Sequence, residues 1–76
     1  MKSNDLLPYA ISELDNLEAS EKFLVKDLFK GYVWKRLPIA TRLTLGTLFL
    51  NYAKNNPEKI RILSKTSANQ QMYALI

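Results

Sequence analysis

The stretch Leu37–Asn55, LPIATRLTLGTLFLNYAKN, constrains the chain more than any other part of it. It is the longest run that reads as a single helix. At about 100° per residue, Leu48, Tyr52, Leu45, Phe49, Ala53, Gly46, Leu50 and Leu43 fill an apolar arc of roughly 220°. Thr47, Ala40, Asn51, Thr44 and Lys54 take what is left. So wide an apolar arc predicts a helix wrapped on most of its circumference, with a narrow Thr/Thr/Asn/Lys stripe outside. Pro38 suits its first turn and holds Leu37 out of helical geometry, and Asn55-Asn56-Pro57 ends it. Arg42 falls at the margin of the arc and needs a partner there, for which Asp27 is the nearest acid. Gly46, inside the arc, costs about 1 kcal/mol relative to alanine, which points to close approach of another backbone.

Seventy-six residues with 47% apolar content supply one core and one domain, 1–76, near the lower size limit for folding without staples. Cysteine and histidine are both absent. Their absence removes disulfides, thiolate metal sites, the commonest general base and every Ser–His or Cys–His nucleophile. The seven acids form no pair placed to bracket a substrate, and no glycine-rich phosphate loop is present. An enzyme is therefore not expected, nor a cofactor or metal. The start of the chain, MKSNDLLPYAISELDN, lacks the continuous apolar core of an export signal, and no stretch of about 18 apolar residues exists. The expectation is a cytoplasmic protein with no membrane span and no small-molecule substrate.

Charge is unevenly spread. Residues 1–27 hold six acids against three lysines, a balance of −3. Residues 28–76 hold eight bases against Glu58 alone, a balance of +7. A small domain with one basic side favours an anionic partner.

Residues 5–18 read as a first helix, with Leu7, Ala10, Ile11, Leu14 and Leu17 inward, Asn4 or Asp5 as cap, and Pro8 confined to the first turn. Phe23–Val25 reads as a short strand able to pair with the C-terminal segment. Lys26–Lys30 then reads as a short helix ended by Gly31 at its C′ position, with one continuous helix over 21–30 as the competing reading. Residues 31–38 connect, and Trp34 reads as a corner anchor, with an exposed contact residue as the alternative. Lys59–Ile76 reads as a hairpin: Ile60, Ile62 and Ser64 alternate with Arg61, Leu63 and Lys65, then a polar turn spans Thr66–Gln70.

Helix, strand, short helix, long helix and hairpin is the order of a winged helix-turn-helix. The fold expected is thus α+β, mostly α: a small winged helix-turn-helix-like domain of three helices plus a C-terminal β-hairpin. In that fold the third helix enters the DNA major groove and the hairpin touches flanking backbone. Thr41, Thr44, Thr47 and Asn51 would then face base edges, where hydroxyl, amide and threonine methyl groups all have partners. Lys35, Arg36, Lys54, Arg61 and Lys65 would neutralise phosphates.

Val25-Lys26-Asp27-Leu28-Phe29, Trp34, Arg42-Leu43-Thr44-Leu45-Gly46, Phe49 and a closing Tyr73 together resemble a family of short bacterial proteins catalogued as a domain of unknown function, found in Gram-positive bacteria and their plasmids and phages. The resemblance covers roughly residues 23–73 and implies a small mobile-element-type protein, with no activity attached. Two functions stand: a regulatory protein binding duplex DNA, and a protein-binding adaptor or inhibitor module of a mobile genetic element, either of which admits a homodimer.

Overall fold

The computed structural model describes residues 3–76, with side chains from Asp5 onward. Three helices and a three-stranded antiparallel sheet follow the order α1 (Ser3–Glu13), β1 (Lys22–Leu24), α2 (Gly31–Arg36), α3 (Ile39–Asn55), β2 (Ile60–Lys65) and β3 (Gln71–Leu75). The sheet order is β1-β3-β2, so the last strand is the central one and the short early strand closes against it. Phe23 pairs with Tyr73 and Tyr73 with Ile62 across the three strands.

The helix α1 starts earlier than its sequence suggests, which leaves Pro8 in its second turn with one N–H fewer for the ladder. Asp5 lies in the first turn, where its charge complements the helix dipole; the Asn4 side chain lies outside the described residues. The helix tightens at Leu14 into a 3₁₀ turn over Leu14–Asn16, where Asn16 donates to the Glu13 carboxylate at 2.8 Å. Leu6 and Ala10 are fully buried.

After β1 comes a second 3₁₀ turn, Val25–Leu28: the short helix expected over Lys26–Lys30 is present as this single tighter turn, which stops before Phe29, and no continuous helix over 21–30 forms. The Asp27 carboxylate accepts the Leu24 N–H at 2.9 Å and fixes this turn. Gly31 is the first residue of α2, with an ordinary negative φ, and does not cap a preceding helix. A six-residue helix has little stability of its own. Trp34 anchors it, half-buried, its ring 5.7 Å from that of Phe29, which in turn stacks on Tyr9 of α1 at 5.2 Å. Leu37, extended ahead of Pro38, ends α2, and Pro38 occupies the N-cap of α3, where its carbonyl accepts the Arg42 N–H.

The core side of α3 is the line Leu45, Phe49 and Ala53. Phe49 meets Tyr73 at 5.0 Å and Phe23 at 6.0 Å between ring centroids, and Ile60, Leu28 and Phe29 join them in one cluster with Leu6, Ala10 and Leu14. The wide wrapping expected for α3 does not occur. Leu43 is 69% exposed and Leu48 38%, because one helix and one small sheet cover only one side of it. Asn56 closes α3 by donating its amide to the Tyr52 carbonyl at 2.8 Å.

Two further expectations are corrected. A Cβ added at Gly46 would meet nothing within 4 Å, so no backbone approaches there. Arg42 does not pair with Asp27: its Nη2 donates to the Lys35 carbonyl at 3.1 Å, and its guanidinium sits 5.5 Å from the Trp34 ring centre.

Candidate functional site

The hairpin β2–β3 starts beside the C-terminal end of α3 and runs back along it. Its turn follows from local chemistry. The Thr66 N–H bonds the Gln70 carbonyl, the Asn69 N–H bonds the Thr66 carbonyl, and Asn69 takes the left-handed conformation (φ 63°) that asparagine tolerates. Between Ile62 and Lys65 the strand carries one extra residue, a β-bulge. The Gln71 amide donates to the Leu63 carbonyl within the bulge and to the Met72 carbonyl at 3.2 Å. A bulge reverses the facing of the strand residues beyond it. Simple alternation puts Lys65 on the face of Arg61; the bulge pairs it with Gln71, on the face of Tyr73.

A groove of about 380 Å³ lies between this hairpin and α3. The helix contributes Arg42, Leu43, Gly46, Thr47 and Leu50; the segment around the second 3₁₀ turn contributes Leu24, Val25 and Lys26; the hairpin contributes Lys65 and its turn. Trp34 and Tyr73 complete the lining. The missing side chain of Gly46 leaves this groove open. Lys26, Arg42 and Lys65 are the charged residues lining it, and all are cations. Burial raises the pKa of the Tyr73 phenol, because the phenolate would lose its hydration.

The residues singled out from the sequence spread along and around α3. Thr44, Thr47 and Asn51 are exposed on the helix, and Thr47 also lines the groove. The Thr44 and Thr47 hydroxyls donate back to the Ala40 and Leu43 carbonyls, at 3.0 and 3.2 Å, leaving oxygen lone pairs and methyl groups outward. Thr41 is half-buried, turned from that stripe toward the Leu48 margin. Lys54 and Arg61 line a second, shallow depression with Ile62. Arg61 also stands in the sheet row Arg61–Ala74–Lys22. Lys35 and Arg36 are exposed in the last turn of α2, with the Arg36 guanidinium 5.4 Å from the Tyr32 ring centre. Lys65 alone of the five predicted phosphate contacts lines the groove.

Lys26 and Arg42 were not indicated as ligand contacts by the sequence pattern. A signal for Arg42 was present: residues 28–57 contain no acid at all, so α3 offers it no carboxylate. For Lys26 no such signal existed, since its facing depends on where β1 stops. Among the described residues no three His, Cys, Asp or Glu side chains gather as a metal site. No helix among them is long and apolar enough to cross a membrane.

A family model spans residues 8–74, from the second turn of α1 to Ala74 in β3. The chain belongs to the DUF1413 family, a domain of unknown function. The DUF1413 match takes in α1 from Pro8 onward as well as the segment 23–73 that carries the sequence resemblance, so the groove-lining residues all fall inside it, while the first turn of α1 and Leu75 lie outside. No curated protein and no solved structure matches the chain.

Proposed function

We propose that this DUF1413 domain is a small winged-helix-like protein that binds duplex DNA in a regulatory role. The observation that carries the reading is the groove between α3 and the hairpin, whose charged lining residues are all cationic. The element order and the β1-β3-β2 sheet support it, because a winged helix-turn-helix would have the same order. In this reading α3 lies in the major groove with Thr44, Thr47 and Asn51 toward base edges. Lys65 and the hairpin turn track the flanking backbone, and Lys35, Arg36, Lys54 and Arg61 supply further phosphate contacts. Thr41 sits at the edge of that footprint. The first turns of α3 present Ile39, Ala40 and Leu43, which offer methyl contact to thymine and no hydrogen bonds, so backbone contacts dominate affinity. The setting implied by the resemblance is a Gram-positive bacterium or one of its plasmids or phages, and the cysteine-free sequence fits the cytoplasm.

A second reading, a protein-binding adaptor or inhibitor of a mobile element, draws on the exposure of Ile39 (71%), Leu43 (69%) and Tyr32 (55%). A mobility shift on random-sequence duplex at low salt separates the two. Retardation that fades as salt rises is expected for DNA binding; absence of any retarded species leaves the adaptor reading.

A further inference from the structure

We infer that Lys26, Arg42 and Lys65 form one anion site in the groove between α3 and the hairpin, suited to a phosphate group. This rests on and deepens the DNA-binding reading, joining Lys26 and Arg42, which the sequence pattern does not mark as ligand contacts, to Lys65, which it does. Each cation is brought there by its own local device. Lys26 sits in the 3₁₀ turn fixed by the Asp27 carboxylate. Arg42 is held against Trp34 and the Lys35 carbonyl. Lys65 is turned to this face by the bulge that Gln71 bridges.

Three positive groups sharing one groove repel each other, and no carboxylate lines it to offset them. A bound anion removes that repulsion. Arg42 adds a second observation: its Nε is buried and has no hydrogen-bond partner, a state that is uncommon and unfavourable for a donor. A guanidinium with its Nε donor unspent, in a groove that two lysines also line, suits an anion with several acceptor oxygens, and a phosphate offers more of them than a carboxylate. Leu43, Leu50 and Trp34 wall the groove with apolar surface, where charge-assisted bonds strengthen. The phosphate comes either from a nucleic-acid backbone or from a free phosphate compound, and the chemistry is shared.

Trp34 is the only tryptophan, lines the groove and stacks with Arg42, so its emission reports on the site. Wild type, Lys26→Ala, Lys65→Ala, Arg42→Lys and the control Lys59→Ala, which lines the separate depression with Asp15 and Glu58, are titrated with pyrophosphate, short duplex and an oligoglutamate peptide. Saturable change in Trp34 emission with duplex is expected. The three site variants should bind duplex several-fold more weakly, with a log K against log salt slope shallower by about one unit for each lysine removed, and Lys59→Ala should match wild type. A response to pyrophosphate alone, lost in Lys26→Ala and Lys65→Ala, supports the site with a free phosphate as its ligand while the DNA reading falls. Duplex binding of wild-type strength and slope in all three variants overturns the site and leaves the DNA reading intact. A response to oligoglutamate and none to either phosphate source overturns it in favour of a carboxylate partner. Exposed Lys26 and Lys65 carry no core packing, so their alanine variants stay folded.

Discussion

Gly46 and Arg42 show how far a single residue's meaning depends on what faces it. On a helical wheel Gly46 falls in the apolar arc, where a glycine implies a tight backbone contact. The groove beside it lets a methyl group enter without meeting an atom within 4 Å. Gly46→Ala should therefore stabilise the domain by about 1 kcal/mol through helix propensity alone, read as a higher urea midpoint. Destabilisation would mean the groove is closed at that point. Arg42 and Asp27 each satisfy backbone groups, at the Lys35 carbonyl and the Leu24 N–H respectively. Arg42→Met and Asp27→Ala should each cost on the order of 1 kcal/mol, and the double variant should lose the sum. A coupling energy above about 1 kcal/mol would show that the two side chains interact. Wheel position could not distinguish these cases, because burial on a helix is set by what the other elements reach.

At the scale of elements, α3, its C-terminal stop and the hairpin turn are legible in the sequence because each has a local cause: a 3.6-residue period, Asn56-Pro57, and Asn69 at the left-handed position. The helix α2 is not. Gly31-Tyr32-Val33-Trp34 has weak helical propensity, and six residues show no period; the contacts of Trp34 with Phe29 and Arg42 settle the conformation instead. The bulge is equally silent, since an extra residue in a strand leaves the composition unchanged while reversing the facing of Lys65. Gln71→Leu removes its side-chain bonds to the Leu63 and Met72 carbonyls. It should cost about 1–2 kcal/mol by chemical denaturation and loosen amide protection at the hairpin tip; unchanged protection there would show that the bulge holds without it. The central strand also carries a pH signature. Burial raises the Tyr73 pKa above the ordinary value of 10.0, so the folded state holds that proton more tightly than the unfolded chain. The associated stability is complete below about pH 10 and is lost as pH rises through the folded pKa. Melting temperature should fall more steeply above about pH 10 in wild type than in Tyr73→Phe, and parallel curves would contradict this.

For the whole molecule, the polarity of the chain becomes a polarity of surfaces. Asp15 and Glu58, with Lys59 beside them, line a depression of mixed charge with Leu14 and Leu17, while the charged residues of the groove beside α3, Lys26, Arg42 and Lys65, are all cations. Charge counts along the sequence reveal that imbalance; which cations share a groove is decided by the end of β1 and by the bulge, and so is not visible in the counts. The proposed DNA-binding reading rests on the cationic groove, and the alternative protein-binding reading on the exposed Ile39 and Leu43 at the start of α3. Salt dependence weighs one against the other, because phosphate contacts release counterions and apolar contacts do not. Fluorescence anisotropy of a labelled short random duplex, titrated with the wild-type domain at several salt concentrations, measures it. Binding at low salt is expected, with a log K against log salt slope of about −4.5, since the five contacts of Lys35, Arg36, Lys54, Arg61 and Lys65 each contribute roughly −0.9. No binding at low salt, or binding whose affinity does not change with salt, would contradict the DNA-binding reading.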